Sequence, residues 1–186
     1  MKSRSVLKME FFFSVAEAAS KLSTCTKRKV GACLVLDNKI ISTGYNGAPS
    51  GMDHCLDAGC KREDSESGKD LNKCVAVHAE QNAIVTAARF GIATNGATLF
   101  CTTEPCGECY KIMKNAGISK VYFKTRYPQE EFSSDTKKEK EYFTKELSVN
   151  EKNLSVLDEY DYLPCDMLNK INEIINLLNK SKIGGK

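Results

Sequence analysis

Two short stretches carry the residue types of a hydrolytic metal centre. They are His78-Ala79-Glu80 and, 28 positions after the histidine, Cys106-Gly107-Glu108-Cys109. Imidazole and thiolate suit zinc, and a zinc ion that activates water takes three protein ligands and keeps one position open. His78, Cys106 and Cys109 supply the three. Glu80 is not needed as a ligand. A carboxylate held beside an activated water can take its proton and return it to a substrate nitrogen.

Either stretch alone says little. A lone His-x-Glu is common by chance, and a lone Cys-x-x-Cys also serves redox chemistry or half of a structural zinc site. Their combination is more specific, because Pro105 directly precedes Cys106 and both stretches sit where helices should begin. Ligands at two helix N-termini would place a positive dipole end beside each thiolate.

A second group of soft ligands occupies segments with little else to order them. Met52 to Cys74 has few large apolar residues and many charges, yet contains His54, Cys55, Cys60 and Cys74. A segment this polar cannot order itself by burial. With Cys25, these residues could close the four-ligand shell of a structural zinc. The expected set is Cys25, Cys55, Cys60 and Cys74, with His54 as substitute. Cys33 and Cys101, inside apolar runs, read as buried packing residues.

The elements that must position these groups follow from periodicity. Val6, Leu7, Phe11, Ala18 and Leu22 recur near helical spacing, so residues 1–22 read as a packing helix ended by Ser23 to Lys29. Val30 to Leu36 and Ile40 to Tyr45 read as strands of a hairpin about Asp37-Asn38-Lys39. Asn46 to Gly51 is a loop. A helix from His78 to Phe90, a strand Ala97 to Cys101, a helix Gly107 to Ala116 and a strand Lys120 to Phe123 complete an α/β sheet covered on both faces. After Lys124 the character changes. Gln129 to Lys145 reads as a solvated helix, and Met167, Leu168, Ile171, Ile174, Ile175, Leu177 and Leu178 as an amphipathic one.

Composition bounds the partners. The chain has 186 residues, 41% hydrophobic and 27% charged, with a net charge of +3 from 27 basic and 24 acidic side chains. That balance argues against a dedicated nucleic-acid binder. No apolar run approaches the roughly 20 residues that span a bilayer, and Met1 to Leu22 lacks signal-peptide order. The nine cysteines therefore read as reduced, and the expected compartment is cytoplasmic.

His-x-Glu with Pro-Cys-x-x-Cys is the known signature of zinc nucleobase deaminases. Together with Lys29-Val30-Gly31-Ala32, the loop Gly44-Tyr45-Asn46-Gly47-Ala48-Pro49-Ser50-Gly51 and Val77-His78-Ala79-Glu80-Gln81-Asn82-Ala83-Ile84, it makes the chain resemble the deoxycytidylate (dCMP) deaminase family of the cytidine deaminase superfamily. The zinc motif is superfamily-wide; the Gly-Tyr-Asn-Gly loop and its Cys-rich insert are what point to dCMP.

The resemblance implies a three-layer fold with a mixed sheet of about five strands and helices on both faces. The helical patterning at 126–186 reads separately as an extension packed on the domain, and the resemblance itself covers only the deaminase domain at 1–125. It implies hydrolysis of dCMP to dUMP and ammonia, supplying thymidylate synthesis, with Glu80 as proton carrier. Asn46 would contact sugar or base, and the Ala79 amide the pyrimidine O2. Arg28 and Lys29 are candidates for the phosphate, with solvated surface charges as the equal alternative. A second zinc occurs in some members, whose pattern Cys25 and Cys55 match best. The family further implies a homo-oligomer, commonly a hexamer, activated by dCTP and inhibited by dTTP. Gly44, Tyr45, Gly47 and Arg89 are the residues expected to serve such an effector, with Mg2+ accompanying the triphosphate.

Other readings share parts of this pattern. Deaminases of tRNA adenosine, free cytidine or riboflavin precursors use the same zinc chemistry. A non-catalytic module with two structural zinc ions would have no need of Glu80.

Overall fold

The computed structural model describes residues 4–66 and 69–126. The expected extension and its helices at 129–145 and 167–178 lie outside the described residues. Helix α1 (Arg4–Ser20) leads into strand β1 (Gly31–Leu36) and strand β2 (Lys39–Tyr45). A four-residue helix α2 (Cys55–Ala58) and a 3-10 turn (Leu71–Lys73) interrupt the polar insert, in which no regular element was expected. Helix α3 (Ala79–Arg89), strand β3 (Thr98–Thr103), helix α4 (Gly107–Asn115) and strand β4 (Lys120–Thr125) follow.

The strand order is β2-β1-β3-β4. β1 is antiparallel to both β2 and β3, while β3 and β4 are parallel, so the sheet is mixed as expected. Among the described residues it has four strands where about five were expected. Asp37 and Asn38, with φ of 50° and 60°, turn the hairpin between β1 and β2. Positive φ at both central positions matches the turn to the twist of its strands, and Asp and Asn tolerate it.

Alternation along the strands sorts the core into two layers. Ala32, Leu34, Leu99, Cys101, Val121 and Phe123 face α3 and α4, meeting Ala79, Ala83, Tyr110 and Met113. Cys33, Val35, Phe100 and Tyr122 face the opposite way, against Phe12, Phe13 and Ala16 of α1. On that side Phe13 meets Phe100 edge-on at 5.3 Å between ring centroids, and Phe100 stacks on Tyr122 at 5.2 Å. The expected three-layer α/β fold is therefore present. Burial pushes the Cys33 thiol up to about 12 and raises that of Cys101 well above its ordinary value, as befits packing residues.

Helix α1 stops at Ser20, two residues short of the expected Leu22, which is exposed. The chain turns there because Ser23 is drawn inward, its hydroxyl donating to the backbone oxygen of Asn46 at 2.8 Å and to Asn46 Oδ1 at 2.7 Å. Gly31 and Gly44 allow close helix approach. A Cβ at Gly31 would fall on the carbonyl oxygen of Ala16 and the amide nitrogen of Ser20 in α1. One at Gly44 would fall on Ala79 O and Ala83 N in α3.

Candidate active site

His78 is the N-cap of α3 and Cys106 the N-cap of α4, so two helix N-termini converge at one point, at the carboxyl end of β3. Cys109 lies in the first turn of α4. His78 Nδ1 is 3.4 Å from both Cys106 Sγ and Cys109 Sγ. Their ligand atoms all lie within 4.8 Å of one another, the one such group of three among the described residues. The donor set fits zinc in its catalytic form: three borderline-to-soft ligands, with Glu80 beside them but outside the group.

The site is held from behind. The His78 amide donates to Gln81 Oε1 at 3.1 Å, fixing the start of α3. Val77 and Gly47 exchange backbone hydrogen bonds of 2.9 and 3.2 Å, which tie the glycine-rich loop to the residue before the histidine. Asn82 Nδ2 donates to Tyr45 O at 2.7 Å, adding a second tie from α3.

Electrostatics within the triad are strongly coupled. A hydrogen bond from the Cys109 thiol, aided by His78, pulls Cys106 down to about 4 despite its burial. The same bond, followed by burial, pushes Cys109 well above the ordinary thiol range. The Cys106 partner raises His78 to about 9, against the opposing effect of burial. Glu80 is 4% exposed, and burial raises its carboxyl while nearby His78 opposes the shift. A buried carboxyl beside the ligand atoms is placed to take a proton from an activated water and to give it to a substrate.

Glu80, Ala79 and Asn46 line a cavity of about 270 Å3 beside the triad. The Ala79 amide belongs to the first turn of α3, whose N–H groups lack intrahelical acceptors. Asn46 is buried and largely committed to its own loops. Its Oδ1 accepts from the Val30 amide at 2.8 Å as well as from Ser23, and its Nδ2 donates to Arg28 O at 2.9 Å. These bonds engage one of its two Nδ2 hydrogens.

Arg28 lines the cavity; Lys29 is exposed and does not. Gly44 is placed against the backbone of α3, and Arg89 is exposed at that helix's far end. Arg89 lies six residues, about 9 Å of helix, beyond Ala83.

The second cysteine group is brought together more loosely than the triad. Burial raises the Cys55 thiol first, then the neighbouring Cys60, Cys25 and Cys74, and Cys55 is hydrogen-bonded to Cys60. His54 Nδ1 is instead 3.1 Å from the Thr24 hydroxyl. The eight described cysteines are free. Cys25 and Cys74 also line the cavity, which joins the two cysteine clusters through one space.

Sequence reasoning missed four polar lining residues: Lys27, Arg62, Thr103 and Glu104. Glu104 stands directly before Pro105-Cys106 and is 2% exposed, so adjacency to the motif was the available signal. Lys27 and Arg62 gave none, because folding alone makes them neighbours.

Comparison with known proteins agrees with this geometry. A family model described as the cytidine and deoxycytidylate deaminase zinc-binding region matches residues 7–125. A deoxycytidylate deaminase of Schizosaccharomyces pombe is 43% identical over 119 residues, which are 63% of this chain and 37% of that protein. This chain thus spans well under half of the yeast relative. The deoxycytidylate deaminase of Mycobacterium phage D29 is 39% identical over 126 residues, 65% of this chain and 94% of that one. The dCMP deaminase of cyanophage S-TIM5, solved in complex with dCMP and dUMP, superposes with a TM-score of 0.59 at 32% identity, covering 76% of this chain and 95% of that chain.

Proposed function

The chain belongs to the cytidine and deoxycytidylate deaminase family, and from that premise we propose that it hydrolyses dCMP to dUMP and ammonia. The observation that carries the reading is the three-ligand triad with buried Glu80 beside it on one cavity wall. Zinc held by His78, Cys106 and Cys109 would supply Lewis-acid activation of one water, lowering its pKa toward about 7. Glu80 accepts a proton from the attacking water and delivers it to ring N3, where it stays in the product. Oxygen adds at C4, the C4–N bond breaks, and the remaining hydroxyl proton passes through Glu80 to the leaving amine. The Ala79 amide donates to the pyrimidine O2, and the second Nδ2 hydrogen of Asn46 reaches the sugar. Arg28, on the cavity wall, is a better phosphate candidate than exposed Lys29.

Initial rates on dCMP, CMP, deoxycytidine and an RNA hairpin test this directly. Metal-replete protein should release one ammonia per dUMP formed and leave the hairpin adenosine intact. Preference for the hairpin would replace the reading with that of a tRNA adenosine deaminase.

Several finer features belong to the same proposal. A structural zinc on Cys25, Cys55, Cys60 and Cys74 is supported by their mutual proximity and by an insert that buries little of its own surface. Assembly into a homo-oligomer, a hexamer by the resemblance, is supported by exposed apolar side chains on and just beyond α3, Val85 at 60% and Phe90 at 70%. Among the described residues no helix is long and apolar enough to cross a membrane, and we place the enzyme in the cytoplasm. Effector control by dCTP and dTTP, with Mg2+, rests on the family and on the tie between Gly47 and Val77.

A further inference from the structure

The charges around the cavity are sorted by depth. Its two lining carboxylates, Glu80 and Glu104, are buried. Its three lining cations, Lys27, Arg28 and Arg62, are half-buried or exposed and mark the outer part. Lys27 and Arg28 come from the segment between α1 and β1. Arg62 comes from the Cys-rich insert, 35 positions beyond Lys27.

Lys27 locks the two segments together and Arg62 braces the insert internally, both through neutral partners. Lys27 Nζ donates to Arg62 O and to Ser65 O, each at 2.5 Å. Arg62 Nε donates to Lys69 O at 2.8 Å, and one of its amino nitrogens donates to the same oxygen. Backbone carbonyls orient a cation without cancelling its charge. Those bonds occupy the Nε edge of the guanidinium and one amino nitrogen, and do not engage the other amino nitrogen, which carries two donors. Asp70 lies in electrostatic range of Arg62, but its carboxylate is bonded to the Ser65 hydroxyl at 2.8 Å and paired with Lys73 at 3.3 Å. The Arg62 amide in turn donates to Cys60 Sγ at 3.4 Å, which anchors the arginine to the cysteine cluster.

A cavity with acids at depth and oriented cations outside fits a ligand with a polar ring and an anionic tail. Resting on the dCMP reading, we propose that Arg62, with Lys27 beside it, binds the 5′-phosphate and makes the Cys-rich insert the element that selects nucleotide over nucleoside. A planar guanidinium already fixed at one edge presents its other donors to phosphate oxygens without further ordering.

The test compares dCMP with deoxycytidine, which differ only in the phosphate, in wild type, Arg62→Gln and Lys27→Gln. Removing one charge-assisted hydrogen bond to the phosphate should lower kcat/KM for dCMP by about 10- to 100-fold in each variant. The value for deoxycytidine should stay within about twofold, and Arg62→Lys should recover part of the activity on dCMP. Calorimetric titration with dUMP and with deoxyuridine gives the same split without turnover, weakening only dUMP. Equal decreases on both substrates, or unchanged dUMP affinity in both variants, would overturn the assignment. Wild type that shows no preference for dCMP over deoxycytidine overturns it together with the underlying reading, and that result is seen before any variant is made.

Discussion

Glu80 and the three ligands form the part of the molecule where single protons decide the chemistry. With no metal bound, near pH 7, the coupled triad holds a Cys106 thiolate, an imidazolium at His78 and a thiol at Cys109. Zinc requires neutral imidazole and thiolates, so its binding must expel the His78 and Cys109 protons. Apparent zinc affinity should therefore rise with pH by about a hundredfold per unit. The slope should ease near 9, where His78 loses its proton unaided. Competition with a chromophoric chelator between pH 6 and 8 measures it, and a flat profile would contradict the triad's charge state. Glu80→Gln should keep the metal and the fold while lowering kcat by on the order of a hundred- to ten-thousand-fold. Loss of zinc in that variant would make Glu80 a ligand instead. These residues were legible in the sequence because their spacing reports two helix starts. Arg62 and Lys27 were not, since they meet only through the path of the insert.

The helices and strands were legible to within a few residues where an apolar run or a helical repeat marked them. Strand alternation was weaker, because Gly31 to Val35 are all buried and no polar face breaks the run. Which side α1 would cover therefore could not be read from β1 alone. Gly44 belongs to this scale too. Its sequence context suggests an effector loop, and the structure places it where α3 crosses β2. Gly44→Ala and Gly31→Ala should each destabilise the protein by about 1–3 kcal/mol, since the added methyl meets helix backbone that cannot rotate away. Their effects on activity should differ. Gly44→Ala moves the start of α3, with His78 and Glu80, and should lower kcat even well below its melting temperature. Gly31→Ala displaces α1, on the opposite face, and should leave kcat near wild type in that range. Thermal melts with initial rates at low temperature separate the two, and an equal drop in kcat would refute the assignment of Gly44 to positioning α3.

Across the whole molecule, the insert from Met52 to Cys74 departs most from ordinary packing. Cys55 is its one fully buried side chain among the described residues. Hydrophobic burial contributes about 25 cal/mol per Å2 of apolar surface, and this segment has little to contribute. Its cysteines reach back to Cys25, and Cys25 and Cys74 sit on the cavity wall. A zinc ion there would fasten three distant stretches of chain and set the wall that carries Arg62. Purified, metal-replete protein should then contain about two zinc ions per chain, because the closed four-thiolate site and the open three-ligand site bind independently. Cys60→Ser should lower the content to about one and expose residues 52–74 to limited proteolysis. It should also cost dCMP turnover more than deoxycytidine turnover, because the Arg62 amide bonds to Cys60. Cys106→Ser should remove the other ion and abolish activity on both substrates without opening the insert. One zinc per chain in the wild type, with an insert already resistant to protease, would mean that the cysteines hold the segment as packed thiols.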